Sequence, residues 1–160
     1  MADELSDGLT RVSYFPTCAN IASPTVVELN AGILLQWILT PDGLIGFEPD
    51  TGDVPTSALA SVFNTVDNGR ISFSNTMLRL KKQTTGDTTY STLGTIGVTG
   101  YIGIRMGILE ATGWASAQPL RVLPIKTGMR RDLTPAENEV RKYEVPLKIW
   151  ITPNLNALVA

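Results

Sequence analysis

Thirteen residues near the end of the chain, Glu139 to Ile151 (EVRKYEVPLKIWI), constrain the fold more than any other stretch. Tyr143, Val145, Leu147, Ile149 and Ile151 fall on one parity, and Lys142, Glu144, Pro146 and Lys148 on the other. That is the period-2 signature of a strand with one buried face. Trp150 is the exception, an aromatic on the polar parity. Strands commonly run roughly 5–6 residues, so this one is predicted to cross a whole sheet and project beyond it. A projecting strand needs a partner, which points to a structural, self-assembling β-protein.

The rest of the chain supplies more strands. Thr10–Phe15 reads as a first strand ended by Pro16. ASPTVVELNAG predicts a two-turn helix with Ser23 as N-cap, Pro24 at the first helical position and Asn30 and Gly32 as stops. The apolar run Ile33–Leu39 is expected to be a strand buried on both faces, with Trp37 in the core, and TPDG (Thr40–Gly43) a turn. Leu44–Asn68 reads as a long loop, with a helical turn in TSALASVFN. Arg70–Gln83 is a strand whose parity switches as a bulge around Asn75 would make it do, and TTYSTLG a short helix. Val98–Gly107 alternates again, and Leu120–Thr127, with Pro124 inside it, reads as an edge or bulged strand. The expected fold is mainly β (α+β): two packed β-sheets or a flattened barrel with a short flanking helix. One domain is expected over residues 1–160, with an N-terminal arm (1–9), a long loop (44–68) and a C-terminal tail (153–160).

Composition narrows the function. At 43% hydrophobic and 18% charged, 160 residues can bury a core without staples. The absence of histidine removes Ser–His–acid and Cys–His nucleophiles and the usual zinc sites together. The single cysteine, Cys18, rules out an internal disulfide framework and reads as a semi-buried thiol. MADELSDGLT lacks the basic-then-apolar order of a signal peptide, and no apolar run approaches a membrane span, so an aqueous, cytoplasmic compartment is expected. Net charge is −2 but polarised: residues up to Asp67 carry −8, with Arg11 the only base, and the remainder carries +6. Such asymmetry suits complementary faces that meet when copies stack, or else solvated loops.

Features that look reactive have plain explanations. Gly94, Gly97, Gly100 and Gly103 recur every three residues but lead into a strand with no GK[ST] after them, which suits close strand packing better than phosphate binding. Glu48, Asp50 and Asp53 resemble half of a calcium loop, but the twelfth position is Leu59, so an EF-hand is excluded. Glu137 and Glu139 read as solvated loop residues and not as an acid–base pair. No catalytic residue, cofactor or metal site is expected. Trp150, on the polar parity, suggests a subunit interface.

The beginning, SPTVVELNAGILLQWILTPDG, and the end, VLPIKTGMRRDLTPAENEVRKYEVPLKIWITPNLNALVA, resemble those of the tail tube (major tail) proteins of long, non-contractile-tailed phages of actinobacteria. GYIGIRMG is similar to that family's glycine–tyrosine strand, and Leu44–Gln83 matches poorly. The resemblance implies a phage tail-tube-like fold, six-subunit rings whose hairpins join into one β-barrel around a channel, and stacking of rings through a long loop and terminal arms. It implies self-association, contacts with tape-measure, tail-tip and tail-terminator proteins, passage of double-stranded DNA without specific binding, no membrane, and assembly in the host cytoplasm into the virion tail. Ring or tube contacts are expected at Glu48, Asp50, Asp53, Arg130, Arg131, Tyr143 and Trp150. The channel face is predicted to be acidic or neutral, with Arg70–Gln83 and Val98–Gly107 as the hairpins that line it. A β-sandwich binding module for carbohydrate or a receptor is the alternative from another class, and tail-completion, connector or head-decoration proteins are near relatives in role.

Overall fold

The structure, a computed structural model, describes residues 2–160. Its elements in order are β1 (Thr10–Phe15), α1 (Val26–Asn30), β2 (Ile33–Leu34), β3 (Leu39–Ile45), β4 (Asp50–Pro55), β5 (Val66–Ser72), β6 (Met77–Lys81), α2 (Thr88–Leu93), β7 (Thr99–Met106), β8 (Pro119–Thr127), β9 (Arg131–Asp132), β10 (Lys142–Ile149) and β11 (Asn154–Leu158). The main sheet runs β2-β1-β7-β8-β10-β6-β3, with β9 beside β10 and β11 beside β8, and curls into a half-barrel. Strands β4 and β5 form a separate two-stranded sheet. Every pairing is antiparallel.

The core lies in the hollow of the half-barrel. Val12 and Tyr14 of β1, Ile102 and Ile104 of β7, Leu123 and Ile125 of β8, and Tyr143, Val145 and Leu147 of β10 meet there with Leu78 and Leu80 of β6, and Leu93 of α2 joins them. The other parity of β1, β7 and β8 builds a second cluster, in which Phe15, Leu120 and Val122 pack with Leu29 of α1, Trp114 and Ala157 of β11. β7 is therefore covered on both faces by the chain itself, although the sequence places it at the channel. Two of the recurring glycines belong to this packing: a Cβ on Gly100 would lie 2.4 Å from the Tyr14 ring, and one on Gly103 3.1 Å from the Phe15 ring.

Both predicted helices are present. In α1 the cap is Thr25 and not Ser23: the Thr25 hydroxyl accepts from the Glu28 N–H, and the Glu28 carboxylate accepts from the Thr25 N–H at 2.8 Å, a complete capping box. Helix α2 is capped by Asp87, which accepts from the Tyr90 N–H at 2.9 Å.

Four local expectations are corrected. Ile33–Leu39 is not one buried strand: β2 ends at Leu34, the N–H groups of Ile38 and Leu39 both donate to the Leu35 carbonyl, and the resulting turn leaves Trp37 69% exposed. TPDG is not a hairpin turn but a bulge inside β3, where Leu39 pairs with Leu80 and Leu44 with Leu78. Pro124 does not mark an edge, since β8 is central, with β7 on one side and β10 and β11 on the other. Proline is accommodated because its position lies between the Ile125–Ile149 and Val122–Asn154 pairs, where the chain from Trp150 to Pro153 leaves the ladder. The final strand does not project unpaired either, because β10 is flanked by β6, β8 and β9 and stops at Ile149 before resuming as β11.

Candidate assembly surfaces

What projects is the segment expected to be a long loop. Asp50 to Ser72 is a hairpin in which β4 pairs with β5 from Asp50↔Ser72 to Pro55↔Val66, with a bulge between the Thr51↔Ile71 and Asp53↔Asn68 pairs. Six strand residues span about 20 Å, and the turn from Thr56 to Thr65 extends it further, held by the Thr56–Thr65 hydroxyl pair at 2.8 Å and by Ser57. No helix forms in the turn. No residue of either strand is buried, and Leu59, Val62 and Phe63 at the tip are at least 75% exposed. Soluble chains seldom leave such apolar residues clustered in water unless another surface covers them. The acids Glu48, Asp50, Asp53 and Asp67 share this exposed segment.

A second surface is the outward face of β6, β10 and β8. Alternation sends Tyr143, Val145 and Leu147 inward, so Lys142, Glu144, Pro146 and Lys148 face out. Register then places Arg79 opposite Glu144, Lys81 opposite Lys142, and Lys126 opposite Lys148. Glu144 is the hub of an ion network. It accepts from Arg79 Nε at 3.0 Å and Nη2 at 2.8 Å on one oxygen, and from Arg131 Nη2 at 2.9 Å on the other. The β3 bulge brings Asp42 to Arg79 Nη1 at 2.6 Å. The Thr40 hydroxyl, then Arg79, hold the Asp42 carboxyl below its ordinary value.

On the inner side of these strands Tyr90 lies under two cations, with Arg130 Cζ 3.8 Å and Lys82 Nζ 4.3 Å from its ring centroid, and it meets Tyr143 edge-on at 4.9 Å. Burial pushes the Tyr143 hydroxyl well above its ordinary value, with Asp87 adding to the effect. Burial also works against ionisation of Asp87, but the N–H groups of Gln83 and Tyr90 and the Lys82 ammonium outweigh it and hold its pKa down.

On the same face of the sheet, toward the far end of β7, Arg105 is fully buried without a carboxylate partner among the described residues. It donates to the carbonyls of Leu109 and Thr112 at 2.8 Å and Gly113 at 3.2 Å, and to Gln118 Oε1 at 2.8 Å. Its guanidinium lies 5.1 Å from the Trp114 ring centroid, and that of Arg11 lies 5.3 Å from the same ring. Desolvation, reinforced by Arg11, lowers the Arg105 pKa, and the carbonyl ring keeps the segment from β7 to β8 folded onto the sheet.

The residues expected at contacts therefore divide. Asp50 and Asp53 sit on the projecting hairpin with Glu48 exposed just before it, and Trp150 is 56% exposed just after β10. Arg131 is tied to Glu144 and Arg130 to Tyr90, so both act first within the chain. Tyr143 is in the core and offers no surface; its parity, inward like Val145, already says so. Missed were the apolar tip and the opposed lysines, the second being invisible without register. Among the described residues no cluster of acids, cysteine or histidine could hold a metal, and no helix is long and apolar enough to cross a membrane.

No curated protein matches the sequence. The fold is similar to a chain in the cryo-EM structure of the anti-feeding prophage baseplate, 6-fold symmetrised, with a TM-score of 0.62 over 98% of each chain at 10% identity. The sequence matches a family model described as phage tail tube protein over residues 1–160, and the chain belongs to that family, a structural component of the virion tail.

Proposed function

We propose that this chain forms hexameric rings that stack into a tail tube through which the viral genome is delivered. The observation that supports this reading best is the β4–β5 hairpin, whose exposed apolar tip and unburied strands have no function within the subunit. A head-to-tail contact that closes makes a ring, and a second that does not close makes a filament. Assembly in the host cytoplasm would bring the tube against tape-measure, tail-tip and tail-terminator proteins. DNA is a passenger: a pI near 5.1 gives the subunit little net attraction for phosphate, which a conduit must release. The role is architectural, with no reaction to catalyse.

Negative-stain electron microscopy of the concentrated protein, with its sedimentation profile, tests the reading. Hollow rings or tubes are expected. A species that stays monomeric at every concentration, also with a tail-tip extract added as initiator, would overturn it.

A further inference from the structure

Asn68 is the only asparagine in the chain that is followed by glycine. In that pairing a side-chain carboxamide reacts most readily with the backbone, because glycine has no side chain to shield its nitrogen and its backbone turns freely. Asn68 is exposed on β5, and it is its own N–H, not its carboxamide, that is engaged, donating to the Asp67 carboxylate at 2.8 Å. β4 and β5 form their own sheet and bury no residue, and an isolated two-stranded hairpin is at best marginally stable in water. Its weakest point is at the pair itself. The ladder shifts register between Thr51↔Ile71 and Asp53↔Asn68, and Gly69 there faces Gly52 so closely that a Cβ would lie 2.8 Å from the Gly52 carbonyl oxygen. Local opening at this bulge lets the chain leave the extended conformation that keeps the Gly69 nitrogen away from the Asn68 carboxamide.

We propose that Asn68–Gly69 is a self-modification site that limits the life of the unassembled subunit. The Gly69 nitrogen bonds to Asn68 Cγ, the Cγ–Nδ2 bond breaks, and the amide proton leaves with Nδ2 as ammonia. The cyclic imide that remains takes up water. Cleavage of its bond at Cγ gives an aspartyl residue at position 68, and cleavage at the main-chain carbonyl carbon gives an isoaspartyl residue, in which the chain runs through the side chain. Either product adds a negative charge opposite Asp53 and beside Asp67, and like charges directly opposite one another destabilise a strand pair. The isoaspartyl form also lengthens the backbone by an atom and throws the ladder out of register. The chemical step needs the subunit alone, whereas its effect on association rests on the proposed function.

Peptide mapping by mass spectrometry, on the full chain kept dilute in mildly alkaline buffer, reads the step, with the urea-unfolded chain as reference. Conversion of Asn68 is expected before that of Asn64 or Asn138, which are exposed as well but precede Thr65 and Glu139. Aged subunit is expected to lose association in sedimentation while keeping its melting temperature, because the hairpin is not part of either core cluster. Asn68→Gln is expected to keep its association on ageing. Asn68→Asp, which supplies the charge without the altered backbone, is expected to associate about threefold less tightly, the scale of one unfavourable cross-strand pair. An Asn68 that stays intact in the folded subunit while it converts in the unfolded chain overturns the inference, since the strand then holds the pair apart. Conversion that leaves association unchanged overturns the effect on subunit life alone. A wild type that never associates overturns the functional reading and that effect with it, while conversion at Asn68 upholds the site.

Discussion

Replacing Arg105 by Met keeps most of the volume and removes the guanidinium. Four acceptors then lose their donor: the carbonyls of Leu109, Thr112 and Gly113 and the Gln118 amide oxygen. A hydrogen bond to a charged group contributes roughly 1.5–3 kcal/mol, so the gross loss is large. Three terms reduce it. The buried guanidinium no longer has to be desolvated, which is several kcal/mol per ion; the repulsion from Arg11 disappears; and Leu109, Thr112 and Gly113 are exposed enough for water to reach their carbonyls. A net loss of about 3 kcal/mol remains, since acceptors left without a donor cost about 1–3 kcal/mol each and water reaches part of them. For a domain of this size it corresponds to a fall of about 10 °C in melting temperature. Thermal and denaturant unfolding of the isolated subunit measure it, with Arg105→Lys, which keeps the charge but not the fork, falling between the two. A Met variant within about 1 kcal/mol of wild type would refute the view that this cation holds the segment between β7 and β8.

Three further outcomes follow from the same geometry. Glu144→Gln is expected to cost about 2 kcal/mol, seen as a lower urea midpoint at unchanged m-value, because a neutral amide cannot hold both Arg79 and Arg131, while their exposure lets water compensate in part. Stability should be level from neutral pH down to about 5 and decline below about 4: the folded pKa values of Glu28 and Asp87 are depressed, so their contribution is present above the unfolded values and lost as pH falls through the folded ones. Denaturant midpoints against pH check this, with Asp87→Asn flattening the decline. Backbone amides of β4 and β5 should exchange fast in the free subunit, while those of β7 and β8 exchange near the global rate, and assembly should slow the hairpin alone.

The sequence is legible where alternation has one buried face. Tyr143, Val145 and Leu147 point inward as their parity requires, and so do Ile102 and Ile104. It is less legible where a tertiary neighbour decides. Ile33–Leu39 is apolar throughout and has no parity to read, so the turn at Leu35 that exposes Trp37 is set by the Leu35 N–H donating to the Val12 carbonyl, a contact distant in sequence. TPDG has turn chemistry, yet β6 pairs on both sides of it and makes it a bulge. Glu144 reads as a solvated residue, although two arginines converge on it and bury it.

The least legible stretch is the hairpin, and the physical reason bears on its role. A strand is recognised from sequence by the face it buries, and β4 and β5 bury none in their own subunit. Their acids and apolar residues therefore follow no inward–outward alternation that the rest of this chain could explain. On the proposed reading the missing face lies on another copy. Register hides features of the outward face as well. Lys126 and Lys148 are twenty-two positions apart and become a pair only when the sheet forms. The same holds for the segregation of charge, −8 up to Asp67 and +6 beyond, which is visible from the start. Part of it takes on a structural meaning once Asp50, Asp53 and Asp67 are placed on the projecting hairpin and Lys126 and Lys148 on an outward face.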